Sequence, residues 1–437
     1  IDPEIAFSTY IGSTTNSFGF TASYDNFGNL YAGAVVFGDS YPTVAGSFQV
    51  NFGMGVVDCG ISKFNDDGTQ LLYSTYLGGA GNEAPHSLVV NSQNELYILG
   101  TTSSVDFPLS GNAFQPTHAG GYTIEAVGFT YQNGSDIFVT KLSENGAQMM
   151  ASTYIGGSGN DGLGNGGVLQ QNYGDQFRGE IVVDEDGNAY VATVTSSGDF
   201  PIVNGFSSNI GGSISGIIFK LSSNLSELIW STFSGGNFSE SAMSLQLAAD
   251  NSVYFTGGTT SSQLPVSANA YQPQNAGGID GYIGHISPDG SQLLACTFNG
   301  TTGKDQNYFV QLDHDGFVYV VGQTTGAYPI SENVYSNPNS GQFIQKFTPD
   351  LSTSLWSTRI GSGSGNIDIS PSAFLVSNCG QIYISGWGGA INSSGSTNIL
   401  PVTSNAFQTT TDGEDFYLMV LQPNAADLLY ATFFGLT

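Results

Sequence analysis

One tripeptide punctuates this chain from end to end. Ser8-Thr9-Tyr10 returns as Ser74-Thr75-Tyr76, Ser152-Thr153-Tyr154 and Ser231-Thr232-Phe233, then as Cys296-Thr297-Phe298, Ser357-Thr358-Arg359 and Ala431-Thr432-Phe433. The intervals are 66, 78, 79, 65, 61 and 74 residues. Three further signals recur between the anchors in fixed order. An apolar run enters a turn and meets a Tyr, as in Ile181 to Tyr190, with counterparts ending at Tyr31, Tyr97, Tyr254, Tyr319 and Tyr383. A polar stretch then closes on proline at Pro108, Pro201, Pro265, Pro329 and Pro401. Last comes an alternating segment such as Asp136 to Leu142, whose counterparts end at Lys63, Lys220, His285 and Lys346. A period of this length marks a repeat architecture.

Each unit therefore holds four strand-length segments divided by Gly, Asp and Asn turns, and none shows a helical 3.6-residue period. Asp67-Gly68, Asp186-Gly187, Asp289-Gly290 and Asp315-Gly316 are hairpin signals, because such turns need a residue that accepts positive φ. The expected fold is all-β, a β-propeller of four-stranded antiparallel blades in one domain spanning 1–437. Its sequence repeats run near 1–70, 71–148, 149–227, 228–292, 293–353 and 354–427, with a seventh starting at 428–437. Six sets of the three later segments face seven copies of the anchor. If the anchor strand closes each preceding blade, the copy at Ile5 to Gly12 is left over. It is expected to complete a seventh blade whose other strands lie past Thr437; six blades with a spare strand is the alternative.

The motif set resembles the bacterial SBBP (seven-bladed β-propeller) repeat family. The matching residues are Ser74 to Gly79 and Ser152 to Gly157, the Asp186 to Tyr190 turn, and the Thr-Ser-Ser-x-Asp-Phe-Pro segments Thr102 to Pro108 and Thr195 to Pro201. The match weakens at Thr325 to Pro329 and at Arg359. The resemblance implies a module of a large surface protein, similar to those of gliding-motility-associated, type IX-secreted proteins of Bacteroidota. It implies no catalytic residue.

Composition narrows the function classes. The 437 residues carry 35 acidic and 7 basic side chains, a formal net charge of −28, yet 40% are hydrophobic. That suffices for a core and excludes a disordered chain. Five Lys and two Arg cannot neutralise a phosphate backbone, so nucleic acid is excluded as partner. No apolar run of about 18 residues exists to cross a bilayer as a helix. Ile1-Asp2-Pro3-Glu4 does not open a signal peptide, so the chain reads as mature or as a piece of a longer one. A surface this poor in cations suits salty extracellular water, which screens its self-repulsion. Cys59, Cys296 and Cys379 are too few and too scattered for a disulfide framework and read as small buried hydrophobes.

The connections after the anchor strand and after the Tyr-containing strand share one face. The long ones, Pro108 to Ser135, Gly156 to Phe177 and Trp387 to Pro401, all fall there. Insertions concentrated on one face of a repeat scaffold point to binding. The candidate binding residues are Tyr122, Phe129, Tyr131, Tyr173, Phe177, Arg178 and Trp387, accompanied by Glu125, Asp161 and Asp175. Aromatic rings with carboxylates and amides suit a sugar or a protein partner.

Catalytic and metal motifs are weak. Asp184 to Asn188 and Asn65 to Gly68 superficially resemble calcium loops, but an EF-hand also needs a Glu at position twelve and flanking helices. They read as hairpin turns, while the acidic long loops leave calcium open. Neither His86, His118, His285 and His314 nor the Gly-rich turns at Gly78 and Gly156 form a zinc, triad or phosphate-loop signature. The expectation is a non-catalytic, extracellular, cell-surface module of an adhesin or appendage. Its partners would be subunits of a surface assembly, or an extracellular polysaccharide or cell surface. A secreted propeller that binds or cleaves glycans is the alternative.

Overall fold

A computed structural model describes residues 7–12, 14–164, 167–389 and 396–435. Its strands form six four-stranded antiparallel sheets, the blades of a β-propeller, plus one two-stranded hairpin. The first sheet is β1 (Ser17–Tyr24), β2 (Leu30–Phe37), β3 (Val57–Phe64) and β4 (Leu71–Leu77). The second comprises β5 (Glu83–Val90), β6 (Leu96–Thr102), and, after the inserted hairpin β7 (Ile124–Ala126) and β8 (Phe129–Tyr131), β9 (Asp136–Leu142) and β10 (Met149–Ile155). The third is β11 (Glu180–Val183), β12 (Ala189–Thr195), β13 (Ser215–Leu221) and β14 (Leu228–Phe233). The fourth runs through β15 (Ser244–Leu247), β16 (Val253–Thr259), β17 (Asp280–Ile286) and β18 (Leu293–Asn299). The fifth holds β19 (Asp305–Leu312), β20 (Val318–Thr324), β21 (Gln342–Phe347) and β22 (Ser354–Ile360). The sixth holds β23 (Ser370–Val376), β24 (Ile382–Trp387), β25 (Phe416–Leu421) and β26 (Leu428–Phe434).

Among the described residues the blades number six, which corrects the expectation of seven and agrees with the six-bladed alternative. The recurring anchor does close each preceding sheet as an edge strand, from β4 to β26. Its first copy forms no strand over the described residues 7–12, and Tyr10 is 90% exposed. Residues 5 and 6 of that copy, and part of the Trp387 to Pro401 connection, lie outside the described residues.

The chain divides into two compact units. One contains the first three sheets; the other contains the last three together with Gly166–Asp175 and Gly211–Ser215. In the first unit, Cys59, Ile61 and Tyr73 of the first sheet pack on Leu88, Leu96 and Ile98 of the second. Ile137, Val139 and Tyr97 pack likewise on Ile181, Val191 and Phe219 of the third. In the second unit, Ile283 meets Val310, Val320 and Phe343, while Ile344 and Trp356 meet Ile384, Tyr417 and Met419. The second and fifth sheets each have a packed sheet on both sides, so β6 and β20 have no solvated face and are buried along their whole length. The sixth sheet keeps the usual alternation instead: Phe416 and Leu418 are exposed while Tyr417 and Met419 are buried.

The strand-ending Lys is the recurrent cation in these stacks, and it never enters alone. Lys63 Nζ lies 3.1 Å from Asp25 and 4.8 Å from the Tyr31 ring centroid. Lys220 repeats this with Asp184 at 3.2 Å and Tyr190 at 4.5 Å. Lys346 does so with Asp313 at 3.0 Å and Tyr319 at 4.7 Å, and Lys141 with Glu95 at 3.3 Å and Tyr97 at 5.4 Å. The acid in each case belongs to the turn before the Tyr strand. Asp184 also accepts the backbone and side-chain N–H of Asn188, which closes the turn that resembled a calcium loop. Burial alone would raise the Asp184 carboxyl, but Asn188 and Lys220 outweigh it and hold it below the usual carboxylate range. Opposite the step after the Lys position, the anchor strand carries a β-bulge in every sheet. In the fourth sheet His285 replaces Lys and stacks on Tyr254 at 3.8 Å; in the sixth, Val420 takes the place.

Breaking one clamp leaves a buried carboxylate without its cation. Lys220→Met is therefore expected to cost about 3 kcal/mol, seen as a melting temperature lowered by several degrees. Lys304→Met, at an exposed lysine, should stay within about 0.5 kcal/mol.

Candidate functional site

The Thr-Ser-Ser-x-Asp-Phe-Pro segment turns out to be a cradle. Thr102 and Ser104 donate their hydroxyls to Oε1 of Glu83 on the neighbouring strand β5. The hydroxyls of Ser103 and Ser104 accept the N–H groups of Asn82 and Gly81, and Asp106 accepts that of Ala80. The same arrangement recurs one sheet later. There Thr195 and Ser197 hold Asp161, while Asp199 accepts the Ser158 N–H at 2.9 Å. In the fourth sheet Thr259 and Ser261 hold Glu240. In these three sheets the motif fixes the turn after the preceding anchor strand against the turn after the Tyr strand, so these two connections lie together on one face.

On that face of the first unit lies a groove of about 490 Å³. Its walls are the turn after β4 (Ala80 to Asn82), the turn after β6 (Ser103 to Asp106), the entry to β3 (Gly55 and Val56) and the inserted hairpin from Gly128 to Asn133. The hairpin is docked by Asn82, which accepts from Val56 and Val57 N–H and donates to Thr130 O at 2.6 Å. Asn133 donates to Ser103 O at 3.0 Å. Gln132 and Asn133 are exposed, as are Val56 (51%) and Val105 (69%). The lining thus combines amides, hydroxyls and small apolar faces with one carboxylate, Asp106, and no cation.

Beneath the groove, Glu83 and Asp58 converge on Gly78. A Cβ at Gly78 would lie 2.5 Å from Glu83 Oε2 and 2.7 Å from Asp58 Oδ1, so only glycine fits between them. Burial, then the charge of Glu83, raises the Asp58 carboxyl; burial also raises Glu83. A second pair, Asp136 and Asp161, converges on Gly156, and burial pushes the two carboxyls up to about 8 and about 7. Perturbed acids near a cleft are active-site candidates. Recurrence at successive seams, with zero exposure of Asp58, Glu83, Asp136 and Asp161, makes them architectural here. Asp106 is the acid that lines the groove.

The expected aromatic residues do not form one exposed surface. Phe129, Tyr131 and Phe177 are buried (4%, 0% and 4% exposed), which corrects their reading as exposed contacts. Phe129 and Phe177 stack at 5.9 Å, with Phe20 edge-on to Phe177, and they form a small core with Val35, Ala84 and Leu163. Tyr131 OH bonds Thr101, which bonds Nε2 of His86. Burial pushes the His86 imidazole down to about 3, so it stays neutral. Phe129 does reach the groove as part of its hairpin wall. Tyr122 is 47% exposed, and Arg178 is half-buried beside β11. In the second unit Tyr173 and Trp387 meet edge-to-face at 6.3 Å. Next to Tyr173, Asn172 is buried and donates to Tyr308 OH of β19 at 2.7 Å. Asp175 accepts from the same hydroxyl and from Gln171 N–H, so it closes a loop rather than facing a partner. Asp161 is the cradled seam acid, and Glu125 lies on β7. Cys59 and Cys296 are buried as expected, whereas Cys379 is exposed.

No family model matches the chain, and no curated protein matches it. Among solved structures it is similar to an ulvan lyase, a polysaccharide lyase, at 8% identity over 97% of this chain and 86% of that one, TM-score 0.48. It is similar to a mutant of the NanB sialidase from Streptococcus pneumoniae at 8% identity over 92% and 70%, TM-score 0.47. A protein of unknown function from Dyadobacter fermentans matches at 10% identity over 86% and 92%, TM-score 0.45. The expectation that the chain is not an enzyme is withdrawn beside these findings, which include a lyase and a sialidase. At such identities the likeness extends to the fold and names no reaction for this chain.

Burial separates the aromatic residues experimentally. Phe177→Ala is expected to cost about 3–5 kcal/mol and Tyr122→Ala at most about 0.5 kcal/mol, read as paired denaturation curves.

Proposed function

We propose that the chain is an extracellular carbohydrate-directed propeller whose ligand lies in the groove of the first unit. The groove itself carries this reading. About 490 Å³ accommodates a small oligosaccharide. Exposed amides at Gln132 and Asn133 match sugar hydroxyls, and Val56 and Val105 match the C–H faces of a pyranose. The ligand class is neutral. The lining offers no Lys or Arg to a carboxylate or sulfate, and the chain's net charge of −28 repels polyanions. The acidic, cation-poor surface supports a location outside the cell. Asp106 is the residue through which binding could extend to cleavage, as the one acid lining the groove.

A glycan array and titration calorimetry with neutral oligosaccharides test this. Binding of a neutral glycan is expected, weakened at least about tenfold, ~1.4 kcal/mol, by Val105→Trp, which fills the groove, and by Gln132→Ala, with melting temperatures unchanged. A hydrolysis assay on the same ligand, repeated with Asp106→Asn, separates binding from turnover. A blank array, or binding that both variants leave intact, would overturn the groove assignment.

A further inference from the structure

Asp58 and Glu83 pose a charge problem that the surrounding groups solve only by half. Asp58 Oδ2 accepts the Gly53 N–H at 2.6 Å, and Glu83 accepts Thr102, Ser104 and the Gly79 N–H. Asp58 Oδ1 is buried on the side facing Glu83 and has no donor. The titratable groups facing the pair are Asp106 from the turn after β6, Cys59 beside Asp58 on β3, Tyr76 on β4, Tyr131 on β8 and Tyr154 on β10. None of them is a cation. Two buried carboxylates in contact cannot both be ionised without one. Among the described residues no third His, Cys, Asp or Glu joins the pair to hold a metal. A proton is the remaining solution.

We propose that Asp58 and Glu83 share a single proton, with Asp58 Oδ1–H donating to Glu83, and that losing it loosens the seam on which the groove is built. The groove depends on that seam through Ser104, which bonds Glu83 with its hydrogen and receives Gly81 with its lone pair. Asp136 Oδ1 is donorless in the same way at the next seam, where His118 Nε2 stands 4.0 Å away; burial keeps that imidazole's pKa low. The sign of the pH effect follows. A carboxyl held above its unfolded value binds its proton more tightly in the folded chain. Its stabilising contribution is complete at acidic pH and is lost as pH rises through the folded value. Stability should therefore decline from mildly acidic to mildly alkaline pH, the reverse of a protein held by ordinary carboxylate ion pairs.

The test compares wild type with Asp58→Asn, whose amide donates as the protonated acid does but cannot titrate. Wild-type melting temperature is expected to fall between pH 6 and pH 9, and the variant's to fall less, so that the variant is the more stable at pH 9. The infrared band of protonated carboxyl groups, measured at pH 6, should be smaller in the variant. If Asp58→Asn does not fold, Glu83→Gln and the wild-type band, which should shrink by pH 9, decide the question. A wild-type melting temperature flat over this range, or a carboxyl band identical at both pH values, would overturn the shared proton. The coupling to ligand rests on the groove reading and is tested separately: affinity for a neutral oligosaccharide should fall in alkali for wild type and hold for Asp58→Asn. Absence of any ligand would leave the melting and infrared results standing, so the two ideas fail independently.

Discussion

A strand covered on both sides admits almost no net charge, and that exclusion shapes the rest of this molecule. Within each unit the sheets stack through apolar alternate positions, so the strands between them are sealed from water. The strand-ending lysines that enter are each neutralised on the spot. Lysines enter only against an Asp or Glu and over a Tyr ring, an arrangement in which the ring faces and the turn amides share the cost of desolvation. Acids enter at the strand starts, cradled by Thr and Ser hydroxyls from the adjoining turn. The scarcity of basic residues in the composition is thus the counterpart of a scaffold with few places to put them.

Much of the scaffold was legible because each repeat solves the same problem with the same residues. The Asp-Gly-Asn-x-Tyr turn could be read from glycine and asparagine alone, and Gly187 does adopt φ +79° with Asp184 closing the turn. The anchor tripeptide likewise marked an edge strand in six of its seven copies. The blade count was misread because a local pattern carries no information on its partner. Ser8-Thr9-Tyr10 has the sequence of an edge strand, but residues 7–12 pair with nothing as strand, and Ile11 packs against Tyr41 and Tyr76 instead.

The site was harder to read, for a physical reason. Aromatic residues in an insertion look alike in sequence whether they face water or one another. Phe129 and Phe177 found each other across more than forty residues and became core. The groove is instead lined by short polar side chains, Gln132, Asn133 and Asp106, and by turn backbone. Only its frame was visible, in the Ser-Ser-x-Asp of Ser103 to Asp106. That motif holds Glu83 and the turn after β4.

The placement of the basic residues has one more consequence, for proteolysis. Enzymes that cut after Lys or Arg must draw an extended stretch of chain into their own cleft. Lys63, Lys141, Lys220 and Lys346 are locked in their clamps, and Arg359 is buried with its guanidinium on Ser340 O. Of seven such positions, Lys304 stands in the open and Arg178 is half covered. The folded chain offers a trypsin-like protease scarcely any place to begin, and gains this resistance without a disulfide among its described cysteines.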